Sequence, residues 1–214
     1  MSMIDDFYAA MDAFPLVAIL RGVRPDEVEA IGDALVDGGF RLIEVPLNSP
    51  QPFVSIERLA KRFSGSPVLV GAGTVLDASQ VAGIEDVGGQ LIISPNYDAD
   101  VVAETARRSL VSIPGIATPS EAFAAVKAGA SALKLFPAEG ASPAVLKAMR
   151  AVLPKDLRVL PVGGIGPDNC EPWLRAGASG FGLGSALYKP GMSASDVRSR
   201  ADAFGEALQA AGTI

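Results

Sequence analysis

Eight short apolar runs, each followed by a helix-like stretch, constrain this chain more than any other feature. They occupy residues 16–20, 42–47, 68–70, 91–93, 110–113, 132–136, 158–162 and 180–183, punctuated by Gly, Pro, Ser or Asn. A near-continuous apolar run, rather than an alternating one, is the pattern of a strand buried on both faces by helices in a parallel sheet. Helix signals fill the gaps. Pro25-Asp26-Glu27 predicts one start, and Thr118 followed three residues later by Glu121 forms a capping-box pattern. Ser142-Pro143, Pro167-Asp168 and the stretch from Ser193 to Asp196 predict further starts. Gly38-Gly39, Gly88-Gly89, Gly129 and Gly177 predict helix ends, since glycine supplies the left-handed C-cap.

These four endings precede the second, fourth, sixth and eighth runs, and Lys127-Ala128-Gly129-Ala130-Ser131 nearly repeats as Arg175-Ala176-Gly177-Ala178-Ser179. Eight such units predict a single α/β domain over residues 1–214. The expected form is a (β/α)8 TIM barrel, with an extra N-terminal helix over residues 1–14 capping its bottom. A doubly wound open sheet is the rival, but it ordinarily uses fewer strands, and no dinucleotide fingerprint follows the first run.

Composition removes whole classes of chemistry. The 214 residues include no histidine, which excludes Ser-His-Asp and Cys-His nucleophile systems and His-ligated zinc or iron. A lone cysteine, Cys170, excludes internal disulfides and suits a reducing compartment. The net charge of −6, with no basic run, argues against a nucleic-acid partner. The longest uncharged stretch, 63–76, is shorter than the roughly 20 apolar residues of a membrane span and contains Gly and Pro. Asp5 and Asp6 stand where an export signal would be basic, so a cytoplasmic location is expected.

Three charged residues interrupt or end the apolar runs: Arg21, Glu44 and Lys134. Surface lysines belong on helices, where Lys61, Lys127 and Lys147 fall; a charge inside a barrel strand is costly unless it is paired or used. Glu44 and Lys134 lie on the second and sixth runs, and alternate strands of a barrel contribute to one interior layer, so the two can face one cavity. A structural ion pair is the bland alternative. The chemical one is a Schiff base: a buried lysine beside a carboxylate attacks a ketone and becomes an electron sink. Since only about 0.04% of an ordinary lysine is neutral at pH 7, burial and Arg21 would have to lower its pKa.

Val162-Gly163-Gly164-Ile165-Gly166 and Gly182-Leu183-Gly184-Ser185 follow the seventh and eighth runs, where barrels often bind phosphate; Gly163, Gly164, Gly184 and Ser185 are the candidates. Gly71-Ala72-Gly73-Thr74 ends the third run, where Gly73 and Thr74 with Arg21 can hold a carboxylate. Pro95 and Phe136 can form an apolar wall beside Lys134, whereas Cys170 and Trp173 read as packing residues.

Taken together, Ala18-Ile19-Leu20-Arg21-Gly22, Ile43-Glu44-Val45, Gly71-Ala72-Gly73-Thr74-Val75, Ser94-Pro95-Asn96, Pro114-Gly115, Leu133-Lys134-Leu135-Phe136-Pro137 and Val162-Gly163-Gly164-Ile165 resemble the class I aldolases of 2-keto-3-deoxy-6-phosphosugar acids. The match covers nearly the whole chain in order. The resemblance implies Lys134 as the Schiff-base lysine, Glu44 as general acid/base, Arg21 and Thr74 at the substrate and the late glycine loops at its phosphate. It further implies a phosphorylated keto-deoxy sugar acid as substrate, pyruvate and glyceraldehyde 3-phosphate as products, no metal or other cofactor, and a homotrimer.

This sequence departs from the gluconate-type members at two places. They carry Glu-Val-Thr-Leu-Arg where this chain has Glu44-Val45-Pro46-Leu47-Asn48-Ser49-Pro50, and a threonine where it has Val162. The departures resemble the galactonate branch, with Arg21 left to serve the substrate carboxylate and a hydroxyl lost near substrate C4. A gluconate-specific or dual-specificity enzyme, a phosphosugar isomerase or decarboxylase using Glu44 as base, and a non-catalytic phosphosugar-binding protein remain the alternatives.

Overall fold

A computed structural model describes residues 2–214. Helices and strands alternate in the order α1 (Met3–Ala13), β1 (Leu16–Ile19), α2 (Val28–Asp37), β2 (Leu42–Pro46), α3 (Pro52–Arg62), β3 (Leu69–Gly73), α4 (Ser79–Asp86), β4 (Leu91–Ile93), α5 (Ala99–Arg107) and β5 (Val111–Ile113). The order continues through β6 (Gly115–Ile116), α6 (Pro119–Ala128), β7 (Ala132–Leu135), α7 (Pro143–Arg150), β8 (Arg158–Pro161), α8 (Cys170–Arg175), β9 (Phe181–Leu183) and α9 (Ala194–Ala210).

All strand pairs are parallel, in two ladders ordered β5-β4-β3-β2-β1-β9 and β6-β7-β8. Backbone bonds span both gaps. The Ser131 N–H donates to the Ser112 carbonyl (2.9 Å) and Lys134 N–H to the Pro114 carbonyl (2.9 Å), tying β7 to the β5–β6 run. On the other side Val162 bridges Gly182, and Ser179 N–H donates to the Val159 carbonyl (2.9 Å). The result is an α/β fold whose parallel sheet curls around an interior.

That interior is apolar at the end where strands begin. Val17, Leu42, Leu69, Leu91, Val111, Ala132 and Leu160, drawn from both ladders, pack with Phe7, Ala10 and Met11 of α1. Ser2 starts α1 with a capping box to Asp5. Tyr8 Oη donates to the Ser131 carbonyl (3.0 Å) and Arg158 pairs with Asp12, fixing the helix over the opening. Burying Phe7 and Met11 completely contributes about 1.5–3 kcal/mol each.

Several boundaries differ from the sequence expectation. The third strand runs Leu69–Gly73 rather than 68–70, because its glycines let neighbouring backbone come close; a Cβ on Gly71 would overlap the Leu91 carbonyl. The fifth run continues past Pro114, which has no N–H for a ladder, into the separate piece β6. Helices begin at Val28 and Cys170, later than the proline signals implied. Glu27 is drawn back to the Arg24 N–H (3.0 Å), and Asn169 closes its loop through Gly166 N–H and the Gly164 carbonyl. The Thr118, Ser142 and Ser193 caps and the left-handed Gly39, Gly88, Gly129 and Gly177 all form as read.

Candidate active site

Glu44 and Lys134 are the two ionisable side chains on the inner face of the sheet that are almost fully buried, at 1% and 5% exposure. Parallel pairing fixes both. Glu44 stands in register with Ile19 on β1 and Gly71 on β3, and Lys134 with Gly115 on β6 and Leu160 on β8. Between them lies a space of about 10 Å³ walled by Ile19, Ile93, Ile113 and Leu160, room for about one water molecule.

The two groups are not a closed ion pair. Glu44 Oε2 is buried with no hydrogen-bond partner, and each acts on the other through charge across space. Burial pushes the Lys134 amine below the usual lysine range; Glu44 opposes this and Arg21 adds to it. Burial likewise lifts Glu44 above the usual carboxylate range against the pull of Lys134 and Arg21. Each group is therefore shifted toward its neutral form, which favours nucleophilic and proton-transfer chemistry over a structural tie. Lys134 Nζ also lies 4.9 Å from the Phe136 ring centroid, so the ring borders the amine.

Above Lys134 opens a cavity of about 950 Å³ at the C-terminal ends of the strands. It brings together Arg21, Thr74, Pro95, Lys134, Phe136, Val162, Gly163, Gly164, Gly184 and Ser185, ten of the twelve candidates named from sequence. Glu44 reaches the same region from behind, through the small space it shares with Lys134. Gly73 is the exception. It is absent from the cavity lining, and a Cβ there would overlap the Glu44 carboxylate, so a glycine is needed to seat Glu44. Thr74, at the cavity wall, holds a left-handed backbone (φ 55°) that a β-branched residue rarely adopts.

Arg21 Nη1 donates to Asn48 Oδ1 (2.9 Å), and Gly22 N–H to Ser49 Oγ (2.9 Å). The segment after β2, which lacks an arginine of its own, thus aims the arginine that follows β1. Gly163 and Gly164 take φ of 112° and 66°, and a Cβ on Gly163 would overlap the Glu139 carboxylate. Glu139, Asp168, Asn169, Tyr188, Lys189 and Arg200 also line the cavity and were not singled out from sequence. Tyr188 is buried and donates to Glu27 Oε1 (3.0 Å); burial and that bond raise its hydroxyl pKa. Nothing local in the sequence marks these six, because they reach the cavity from loops and a helix whose surroundings are set by tertiary packing.

A slightly larger hollow, about 1050 Å³, lies at the opposite end beside α1. None of its charged residues is buried, in contrast to Lys134 at the base of the upper cavity. No helix among the described residues is long and apolar enough to cross a membrane.

The curled parallel sheet carries an inward lysine and carboxylate beneath glycine-rich loops, and comparison with known proteins gives the class: its homologues are aldolases, which are carbon–carbon lyases. Residues 8–201 match the family described as KDPG and KHG aldolase. The chain is 51% identical over 187 residues to a probable 2-dehydro-3-deoxy-6-phosphogalactonate aldolase of Rhizobium meliloti, covering 87% of this chain and 88% of that one. It is 45% identical over 197 residues to the 2-dehydro-3-deoxy-6-phosphogalactonate aldolase of Escherichia coli, covering 92% and 96%. A solved structure described as native KDPGal superimposes with a TM-score of 0.91 at 44% identity, over 94% of this chain and 97% of that one. The chain belongs to the KDPG and KHG aldolase family.

Proposed function

We propose that this protein is a carbon–carbon lyase that cleaves 2-dehydro-3-deoxy-6-phosphogalactonate to pyruvate and glyceraldehyde 3-phosphate through a Schiff base on Lys134. The observation that carries the chemistry is the Lys134 amine, buried and shifted toward its neutral form beside a carboxylate that makes no closed pair with it. The two relatives named above support the galactonate substrate.

In this reading the neutral amine adds to the C2 carbonyl of the substrate. Loss of water from the carbinolamine leaves a protonated imine. Removal of the C4 hydroxyl proton lets the C3–C4 bond break, its electron pair moving into the imine to give an enamine and glyceraldehyde 3-phosphate. The enamine is reprotonated at C3, and water then releases pyruvate and the free amine. Glu44, directly or through one water, moves the protons; its raised pKa places it closer to the range where it can both accept and donate them. Arg21, aimed by Asn48, meets the carboxylate, Thr74 lies on the same wall, and the Gly163-Gly164 and Gly184-Ser185 loops take the phosphate. Pro95 and Phe136 exclude water around the imine.

Val162 fits this substrate: it presents methyl groups to the cavity where a threonine would present a hydroxyl. Retro-aldol kinetics on the two C4 epimers test the assignment. A higher kcat/KM for the galactonate epimer is expected; a strong preference for the gluconate epimer would overturn the substrate while leaving the lyase chemistry.

Two features of wider architecture belong to the same reading. The strands form one closed (β/α)8 barrel whose fifth stave is the pair β5 and β6, supported by the backbone bonds across both ladder gaps, and α1 caps its bottom. The protein acts as a homotrimer, for which the exposed apolar Phe53, Val54 and Leu76 on α3 and after β3 offer surface, and it works in the cytoplasm, whose reducing conditions suit its lone cysteine.

A further inference from the structure

The cavity mouth carries charges of both signs. Glu139 and Asp168 line it beside the loop of residues 163–166, and the Glu139 carboxylate packs against Gly163. Lys189 and Arg200 line it too, Arg200 at the Ser185–Ala186 turn. Arg200, half-buried on α9, donates from Nη1 to the carbonyls of Ser185 (3.2 Å) and Ala186 (3.0 Å), leaving Nε and Nη2 uncommitted. Those carbonyls are thereby turned toward α9. The N–H groups of Ser185 and Ala186 make no hydrogen bond among the described residues, while the Gly184 carbonyl closes the turn by accepting from Leu187 and Tyr188.

We infer that Arg200 makes this site prefer phosphorylated over unphosphorylated aldehydes, an inference that rests on the phosphosugar aldolase reading above. A phosphate monoester carries about −1.5 to −2 charges near pH 7 and enters a mouth that already holds two carboxylates. Two things are needed to hold it there: free N–H donors and a compensating cation. Arg200 supplies both, the first by pinning the carbonyls of the Ser185–Ala186 turn away from the ligand, the second by its own charge close to that turn. Lys189, flexible and exposed, adds charge without fixing the backbone. Arg200 is thus a positioning residue for the phosphate and takes no part in the chemistry at Lys134.

The test runs the reaction in the aldol direction, with pyruvate and either glyceraldehyde 3-phosphate or glyceraldehyde. Arg200→Gln is expected to raise KM for the phosphorylated aldehyde about 10-fold, the size of one lost charge-assisted interaction, with little change in kcat. The preference for glyceraldehyde 3-phosphate over glyceraldehyde falls by the same factor. Arg200→Lys, which keeps the charge but not the two-carbonyl clamp, recovers part of it. Binding of inorganic phosphate, measured by calorimetry, weakens in the same order. Equal losses with both aldehydes would mean that Arg200 only supports the fold, and an unchanged preference would mean that it has no part in phosphate recognition; either overturns the inference. Failure of the wild-type protein to form a reducible pyruvate adduct would instead sink the aldolase reading, and the phosphate calorimetry still decides the role of Arg200.

Discussion

At the end where its strands begin, the curled sheet is filled by Phe7, Ala10 and Met11 of α1 against apolar residues of seven strands. At the other end it opens into a cavity of about 950 Å³ with two buried ionisable groups at its base. The same strands serve both ends, and Lys134 is only two residues beyond Ala132, which belongs to the apolar plug. Hydrophobic burial at the lower end stabilises the fold; at the upper end Glu44 and Lys134 hold ionisable groups out of water at some cost to that stability. Substitutions at the two ends should therefore separate activity from stability.

The largest separation is expected from Lys134→Met. It should lower kcat/KM for cleavage by a factor on the order of 10⁴ or more, while the melting temperature does not fall. A residual activity within tenfold of wild type would erase the distinction between the ends. Phe7→Ala is the mirror experiment. Chemical denaturation should show a loss of about 3–5 kcal/mol, with kcat unchanged at temperatures where the protein remains folded.

The paired replacement Glu44→Gln with Lys134→Met sharpens the comparison through pH. Folded Lys134 binds its proton more weakly than the unfolded chain does, so its contribution makes stability rise as pH increases from its folded value toward 10.5. Folded Glu44 holds its proton more tightly than the unfolded chain, so its contribution makes stability fall as pH increases from 4.5 toward its folded value. Near neutral pH both groups weaken the fold, and the double variant should exceed wild type by about 1–4 kcal/mol. Denaturation curves across pH should show this gain shrinking as pH falls from the folded Glu44 value toward 4.5 and again as pH approaches 10.5. A gain that is constant with pH would place the stability difference outside these two titrations. The smallest effect is expected at Val162→Thr, whose hydroxyl should move the ratio of kcat/KM between the C4 epimers toward gluconate by about 10-fold or less.

Much of this division was legible before any coordinates. Charges inside otherwise apolar runs are rare because they are costly, and that rarity made Glu44 and Lys134 visible. The capping residues Thr118, Ser142 and Ser193 act within three residues of themselves, so their roles follow from local spacing alone. What sequence could not convey depends on approach between distant segments. Gly73 read only as a ligand-binding glycine, and nothing local shows that its missing Cβ is the space Glu44 occupies from the neighbouring strand. The partnership of Arg21 with Asn48 spans the loops after β1 and β2, and Arg200 reaches the mouth from the final helix. Neither has a local signature. The split of the fifth run at Pro114 was hidden for a similar reason: a proline reads as an end, yet the sheet resumes with Gly115, which pairs with Lys134 and helps to seat it.

The central claim is that the upper end works through a covalent imine on one buried amine. Borohydride reduction in the presence of pyruvate, followed by peptide mass analysis, tests it directly. The account predicts a single reduced pyruvate adduct on Lys134, formed by the wild-type protein and absent from Lys134→Met. No adduct, or an adduct on a surface lysine such as Lys61 that persists in Lys134→Met, would contradict it.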